Sequence, residues 1–336
     1  MKKLNFAIIG SGLMARIYAL TLKGRMDCNI LAIVGNTTDK TNRLAEEFDC
    51  KAYYNGDWNK MLANESDNID AVIIATPEWI RVNVIKDVIK HNKHILLEKP
   101  LATNMQDAKL IRDMIHQYNK KFMLCHSLRF SPRYSQAKLS VDKQQIGDLR
   151  HIYGRQNPNS NSIKRVHGKF NLSYWILPHD IDLMRWFFND EVEYVYAITR
   201  NKLKNEDDYL IVHIHFKGGT DAIEECSWTA PPLSLKYYNC QMAIRGTKGS
   251  IDINSTNMNV DVFTKSNVVE SPETYEYYNI HGSYFGLFYN LIDHFLKCIV
   301  YDKTPLIGIE DSYKTIEVCA AVERSINSGK KEYISE

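Results

Sequence analysis

Short apolar runs alternate with longer amphipathic segments over the first 126 residues of the chain. The longer segments, such as Glu78–His91 and Asn104–Asn119, carry apolar residues at helical spacing. This alternation predicts a parallel, doubly wound α/β sheet with helices on its faces. The predicted strands are Leu4–Ile9, Ile30–Val34, Ala71–Ala75, His94–Leu97 and Phe122–Cys125.

The pattern changes near Leu149, where stretches rich in Tyr, Val and Ile follow one another with short turns between them. Short turns predict antiparallel neighbours. We therefore predict a doubly wound domain over residues 1–127. An α+β domain with a large, mostly antiparallel open-faced sheet should follow over residues 128–336. Its predicted strands include Glu193–Thr199, Tyr209–Phe216, Ala222–Thr229 and Tyr237–Arg245, and its closing helices are Tyr284–Val300 and Glu310–Ser328.

A glycine motif follows the first predicted strand, in the order Gly10-Ser11-Gly12-Leu13-Met14-Ala15. In a G-x-G-x-x-A turn the first glycine permits the tight reversal and the second lets the backbone approach a pyrophosphate. The small third residue lets the helix pack on the strand. The motif predicts that residues 1–127 form a Rossmann domain, with cofactor contacts from Gly10, Gly12, Leu13 and Met14.

The end of the second strand indicates which dinucleotide binds. NAD enzymes place an acid there to accept hydrogen bonds from the ribose hydroxyls, but this chain has Asn36, Thr37 and Thr38. These residues would not repel a 2′-phosphate, so we expect NADP, with NAD as the alternative. Asp39 could instead turn back to bind the ribose, or the whole segment could serve only to cap the next helix.

Composition excludes several classes of protein. The chain has a formal net charge of +2 and 24% charged residues, which predicts no general attraction to nucleic acid or to a membrane surface. No apolar run approaches the roughly 18 residues of a membrane span. The seven cysteines are scattered, without a Cys-x-x-Cys pair, which favours reduced thiols in the cytoplasm and no metal site.

Further motifs follow the later strands: Ala75-Thr76-Pro77-Glu78-Trp79, then Glu98-Lys99-Pro100-Leu101, then Arg129-Phe130-Ser131-Pro132. Much later comes His179-Asp180-Ile181-Asp182-Leu183. With these motifs in this order, the chain resembles the family of glucose-fructose oxidoreductase and inositol dehydrogenase. The resemblance covers almost the whole chain; no single motif is specific, but their order and spacing together are.

The resemblance implies that Lys99 and His179 face the nicotinamide ring across the substrate, and that the Lys99–Pro100 peptide is cis. A group that changes protonation near pH 7 is needed to exchange the hydroxyl proton while hydride leaves the carbon. Lysine acquires that property beside another cation, for which Arg129 is the candidate. The alternatives are a surface lysine at a strand end and a core histidine. Further cofactor contacts are expected from Thr76, Pro77, Trp79 and Glu98, although Trp79 could equally pack on its helix.

Substrate contacts are expected from Arg129, Tyr174, Trp175 and Asp182. Asp182 lies one helical turn after His179 and could bind a substrate hydroxyl or orient the imidazole. Two positions depart from the family pattern: Trp175 stands where an aspartate is frequent, and Arg81 where histidine is common. A tryptophan cannot relay a proton but offers a flat apolar face to a sugar ring.

The predicted activity is hydride transfer to or from a hydroxyl or keto carbon of a sugar, cyclic polyol or sugar derivative. A basic segment with Arg155, Lys164, Arg165, His167 and Lys169 would suit a phosphorylated or nucleotide-linked substrate, or is simply a solvated loop. The alternative function is a nonenzymatic NAD(P)-binding sensor of the same fold. The open sheet face predicts a homodimer or homotetramer.

Overall fold

The computed structural model describes residues 3–158, 171–199, 202–203, 206–207, 209–228, 238–254, 262–263, 269–270 and 274–334. The chain divides into two compact units. The first unit comprises Met1–Phe130 and Tyr275–Tyr313, and the second comprises Ser131–Thr274 and Lys314–Glu336. The basic residues Lys164, Arg165, His167 and Lys169 of the sequence prediction lie outside the described residues.

The first unit contains a six-stranded parallel sheet in the order β3-β2-β1-β4-β5-β6. This arrangement confirms the predicted doubly wound fold. Strand order reverses beside β1, which is where ligands bind in such sheets. The strands are β1 (Leu4–Ile9), β2 (Cys28–Val34), β3 (Lys51–Tyr53), β4 (Ala71–Ile74), β5 (His94–Leu97) and β6 (Phe122–Leu124). The helices are α1 (Leu13–Lys23), α2 (Thr38–Phe48), α3 (Trp58–Glu65), α4 (Arg81–Lys90) and α5 (Met105–His116), with 3-10 turns at Ser66–Asn68, Glu78–Ile80 and Ser127–Phe130.

Burial explains which strands the sequence revealed. All four residues of β4 are buried, as are Ile95, Leu96 and Leu97 of β5, because helices cover both faces of a parallel sheet. Such strands give continuous apolar runs, and their positions were predicted within a residue or two. The edge strand β3 has three residues, none of them buried, so no apolar run marks it.

The second unit contains a seven-stranded sheet in the order β14-β13-β7-β12-β11-β8-β19. The β7–β12 pair is parallel and the other pairs are antiparallel, which confirms a mostly antiparallel sheet. Its leading helices are α6 (Pro132–Asp142), α7 (Leu172–Trp175) and α8 (Leu177–Phe188). Its strands are β7 (Leu149–Pro158), β8 (Val192–Ile198), β11 (Tyr209–Phe216), β12 (Asp221–Ser227), β13 (Tyr238–Gly246), β14 (Ser250–Asn254) and β19 (Glu332–Tyr333). The short strands β9 (Lys202–Leu203) and β10 (Glu206–Asp207) pair with each other, as do β15 (Val262–Phe263) and β16 (Val269–Glu270).

The two faces of this sheet differ in how exposed their side chains are, because side chains alternate along each strand. Ile152, Val212 and Ile214 are buried on one face. On the other face Tyr153 lies beside Ile223 in the strand register, and these side chains are 36% and 43% exposed. The second face is therefore open and partly apolar.

A later segment returns to the first unit. It contains β17 (Tyr278–Ile280), β18 (Ser283–Phe285) and α9 (Leu287–Val300), and it precedes the long helix α10 (Ile309–Ser328). The ring of Phe288 on α9 meets that of Tyr18 on α1 edge to face, with centroids 5.6 Å apart. The first compact unit thus includes Tyr275–Tyr313, which the sequence division had assigned to the second domain. No helix in the described part of the chain has the length and apolar character needed to cross a bilayer.

Candidate active site

The glycine turn after β1 has the geometry that a pyrophosphate needs. Gly10 has φ +135°, and a Cβ there would lie 2.4 Å from the Ala75 carbonyl oxygen at the end of β4. Gly12 caps α1 without a side-chain hydrogen bond, and a Cβ there would meet nothing within 4 Å. The first N–H groups of α1 therefore face open space beside Leu13 and Met14 and fit a dinucleotide phosphate.

The segment after β2 is exposed at Asn36, Thr37 and Thr38. Thr37 is the N-cap residue of α2, yet its side chain makes no capping hydrogen bond, so helix capping does not account for it. A shallow groove of about 430 Å³ lies beside the glycine turn, and Arg16, Lys40 and Arg43 line it. Arg16 pairs with Glu47 at 2.6 Å, whereas Lys40 and Arg43 form no ion pair among the described residues.

Lys99 stands just beyond the carboxyl end of β5, and its peptide bond to Pro100 is cis, as predicted. Its backbone N–H donates to Glu98 Oε2 at 2.7 Å, and the Tyr18 hydroxyl donates to Glu98 Oε1 at 3.3 Å. Glu98 is 8% exposed. This carboxyl is therefore held on the backbone of Lys99 instead of projecting toward solvent.

The guanidinium of Arg81 is a cation that lowers the pKa of the Lys99 amine. The sequence analysis had offered Arg129 as such a cation. Desolvation lowers the pKa of the Lys99 amine, Arg81 lowers it further, and Glu98 and Glu78 act in the opposite direction. Arg129 is buried and lies 3.4 Å from Asp311. A lysine with a lowered pKa suits proton transfer near neutral pH.

The other predicted cofactor residues follow β4. Thr76 is 8% exposed, and Pro77 precedes the 3-10 turn at Glu78–Ile80. Trp79 is 61% exposed, so its ring has little packing against its own helix. This exposure favours the cofactor-covering role over the packing role.

The predicted substrate residues His179, Asp182, Trp175 and Tyr174 all belong to the second unit. His179 is partly exposed on α8, whereas Asp182 is 1% exposed. Tyr174 and Trp175 are partly exposed on α7, and burial raises the pKa of Tyr174.

Three features escaped the sequence analysis, one of them in the first unit and two in the second. Trp175 stacks on the fully buried Trp228, Arg81 hydrogen-bonds the loops around Lys99, and Asp180 forms a buried pair with Glu224. Arg81 had been noted only as a departure from the family pattern. No group of His, Cys, Asp and Glu side chains in the described residues could hold a metal ion.

Two models of one oxidoreductase family match the chain. The NAD-binding Rossmann fold of that family matches residues 4–126, and its C-terminal alpha/beta domain matches residues 141–334. Among the relatives, scyllo-inositol 2-dehydrogenase (NAD(+)) of Bacillus subtilis is 24% identical over 96% of this chain and 94% of its own. The 2,7-anhydro-N-acetylneuraminate hydratase of Mediterraneibacter gnavus is 24% identical, over 75% and 68%.

Among solved structures, scyllo-inositol dehydrogenase from Lactobacillus casei, with NAD(H) and scyllo-inositol bound, superposes with a TM-score of 0.83. It is 21% identical and covers all of both chains. This likeness shows that the two proteins share a fold. Because the family models together span more than half of the chain, the protein belongs to the oxidoreductase family of glucose-fructose oxidoreductase and inositol dehydrogenase, whose N-terminal domain is an NAD-binding Rossmann fold.

Proposed function

We propose that the protein interconverts a secondary alcohol and a ketone on a cyclic polyol, sugar or sugar derivative, with Lys99 and His179 handling the proton. The observation that carries the proposal is the Lys99 amine at the end of β5, with a lowered pKa, in the same unit as a glycine turn that fits a dinucleotide. The inositol dehydrogenases among the relatives support the substrate class.

In the oxidising direction the substrate carbon loses a hydride and its hydroxyl loses a proton. The glycine turn at Gly10 and Gly12 would hold a dinucleotide, whose oxidised nicotinamide would supply the acceptor for the hydride from the carbon. Lys99 polarises the substrate oxygen, and His179 takes the hydroxyl proton as the carbonyl forms. Asp182 orients the His179 imidazole. Trp175 offers a ring face to the sugar, while Tyr174 and Arg129 complete the proposed substrate contacts.

NADP(H) is the proposed cofactor, in preference to NAD(H). A 2′-phosphate beyond Asn36, Thr37 and Thr38 would meet no carboxylate at the strand end, and Lys40 and Arg43 stand in the adjoining groove. Hydrogen bonds to charged groups contribute about 1.5–3 kcal/mol each. Exposed Asp39 remains the one acid close enough in sequence to favour a ribose hydroxyl.

Fluorescence titration tests the cofactor proposal. We expect NADPH to bind at least about tenfold more tightly than NADH, which is about 1.4 kcal/mol. Arg43→Ala should weaken NADPH and leave NADH unchanged. The matched control is Lys90→Ala, which removes an exposed lysine that pairs with Asp87; it should change neither affinity. A tenfold preference for NADH would overturn the proposal.

Turnover tests the reaction itself. The protein is incubated with NADP⁺ or NAD⁺ and a panel of polyols and sugars that includes scyllo-inositol, myo-inositol and glucose. Absorbance reports reduced cofactor, and NMR identifies the carbon product. We expect stoichiometric ketone and reduced cofactor from a cyclic member. One relative is a hydratase, so a product that differs by water without reduced cofactor would contradict the proposal, as would no reaction across the panel.

Two further proposals concern the protein's setting. The open apolar face around Tyr153 and Ile223 supports a homodimer or homotetramer formed through this sheet. None of the seven cysteines forms a disulfide. Free thiols are typical of a reducing compartment, which supports a cytoplasmic location.

A further inference from the structure

Arg81 is among the most completely buried side chains of the first unit, with 1% of its surface exposed. It is the first residue of α4. Its Nε and Nη2 donate to the Thr76 carbonyl at 3.2 and 3.0 Å, and its Nη2 lies 3.2 Å from Glu78 Oε1. The guanidinium therefore holds the loop that follows β4.

The same guanidinium reaches the loop that follows β5. Nη2 donates to the Lys99 carbonyl at 3.4 Å, and Nη1 donates to the Pro100 carbonyl. Strands β4 and β5 are parallel neighbours, so their carboxyl ends lie at the same edge of the sheet. One side chain thus joins two loops at that edge by hydrogen bonds to three carbonyl oxygens.

This set of contacts requires the shape of a guanidinium. Arginine presents five N–H donors in a planar fork, whereas a lysine ammonium is a compact point charge and a histidine ring has two nitrogens. Burying a cation is costly unless it is paired and hydrogen-bonded, and here Glu78 and the three carbonyls satisfy it. A lysine retains the charge but cannot reach both loops together.

The bonds fix the backbone on both sides of the Lys99–Pro100 peptide. Glu98 holds the Lys99 N–H while Arg81 holds the Lys99 carbonyl. The backbone of Lys99 is therefore restrained at both its N–H group and its carbonyl oxygen, and this fixes the point from which its side chain extends. The charged groups facing its amine are Glu98, Glu78 and Arg81.

We propose that Arg81 is a positioning residue for Lys99: its guanidinium joins the loops after β4 and β5 so that the amine is held, in direction and in charge environment, for work on the substrate oxygen. This inference rests on the proposed function for the role of the amine. The placement of the amine by Arg81 is independent of turnover, and so it can be measured separately.

The experiment compares Arg81→Met and Arg81→Lys with Arg25→Met in the full-length protein. Arg25 is the matched control because it is a largely buried arginine of the same unit that pairs with Asp27 and Asp293 and makes no bond to these loops. Lysines are reductively methylated with ¹³C-formaldehyde, and the Lys99 signal, assigned by its loss in Lys99→Arg, is titrated by NMR. The NADPH dissociation constant is measured, as is kcat against pH with the best probe from the polyol panel.

In Arg81→Met the Lys99 signal should titrate at a higher pH than in the wild type, because a neighbouring like charge is lost. Lys99 polarises the substrate oxygen in its protonated form, so the basic limb of the kcat profile for alcohol oxidation should move up with it, and kcat should fall at least about tenfold. The NADPH dissociation constant should change less than about threefold. Arg81→Lys should keep the titration near that of the wild type yet lose kcat, and Arg25→Met should match the wild type in all three readouts.

The inference is overturned if folded Arg81→Met has a wild-type Lys99 titration and kcat profile, or if Arg81→Lys has wild-type kcat. Should Arg81→Met fail to fold, Arg81→Lys alone tests the inference. A lower kcat with an unchanged Lys99 titration supports the inference, and a wild-type kcat overturns it. If no probe is turned over by the wild type but the Lys99 titration still moves in Arg81→Met, the placement of the amine stands and the proposed reaction fails.

Discussion

The indole of Trp175 stacks on that of Trp228, with ring centroids 4.8 Å apart and planes 26° from parallel. Trp228 is fully buried and Trp175 is partly exposed. The inner ring therefore fixes the outer one, and Trp175 has one face covered by protein. A ring held in this way provides a rigid apolar surface at the position where the family frequently has an acid.

Trp175→Asp distinguishes the two roles of this position. If the ring stacks against the substrate, the variant should have a higher KM with little change in kcat. If the ring only replaces a proton relay, activity should be kept or raised. Steady-state kinetics with the same polyol probe separates these outcomes, and a higher kcat at unchanged KM would contradict stacking.

Trp228 should matter for stability through its ring more than through its N–H. Its Nε1 is buried without a hydrogen-bond partner in the described residues, so Trp228→Phe should cost far less than the roughly 3–5 kcal/mol expected for Trp228→Ala. Chemical denaturation measures both values. Equal losses of unfolding free energy in Trp228→Phe and Trp228→Ala would show that the aromatic ring at this position is not what stabilises the protein.

A buried carboxyl pair should make stability depend on pH. Asp180 on α8 accepts from Gln156 Nε2 at 2.8 Å, and Glu224 on β12 lies against it. Burial raises the pKa of Asp180 to about 6, and burial with the charge of Asp180 raises that of Glu224 well above its usual value. Gly154 makes room for this pair, since a Cβ there would lie 1.9 Å from Glu224 Oε2.

Both folded-state pKa values exceed the unfolded ones, so the pair stabilises the protein at low pH and loses that contribution as pH rises through about 6 and beyond. The free energy of unfolding should therefore begin to fall above about pH 4 and continue to fall through about pH 6, by up to about 1.4 kcal/mol per pH unit for each proton. Glu224→Gln should flatten the slope. Asp142→Asn, at an exposed helix position paired with Lys138, should leave it unchanged. A wild-type stability that is flat across this range would contradict the assignment.

Lys99→Ala and His179→Ala should each remove most turnover, by roughly 10²–10⁴. Neither change should alter cofactor affinity much. The double variant should be little slower than either single variant, because groups that act together on one oxygen are not additive. Near-normal kcat in His179→Ala would place the base elsewhere.

The open sheet face should form the subunit interface. Ile223→Lys places a charge beside Tyr153 on this face and should reduce the mass measured by light scattering to that of a monomer. Met26→Lys, at a position 88% exposed in the first unit, is the control and should leave the mass unchanged. A wild-type protein that is monomeric at micromolar concentration would exclude this assembly.

The sequence predicted those parts of the site that depend on local pattern. The glycine turn and the buried strands β4 and β5 were expected because each follows from residues next to one another in the chain, whereas the cis peptide after Lys99 was expected from the family resemblance. Strand β3 lacked an apolar run, and the place of α9 in the first unit depends on a contact between Phe288 and Tyr18.

Side-chain partners distant in sequence were not predictable in the same way. Arg81 binds carbonyl oxygens 18 and 19 residues later, and a backbone acceptor leaves no mark in a sequence. Trp175 and Trp228 meet only because α7 packs near the end of β12. Arg129 was offered as a cation beside Lys99, and the structure adds Arg81, whose charge lowers the pKa of the Lys99 amine.

Transfer of deuterium measures whether the hydride passes from the polyol carbon to the nicotinamide with the help of Lys99. The polyol that the panel identifies is prepared with deuterium on its reacting carbon and incubated with the protein and the oxidised cofactor. In the wild type we expect one deuterium on carbon 4 of the nicotinamide for each ketone formed. In Lys99→Ala this transfer should be at least about a hundredfold slower. Ketone formed without deuterium on the nicotinamide, or undiminished transfer in Lys99→Ala, would contradict it.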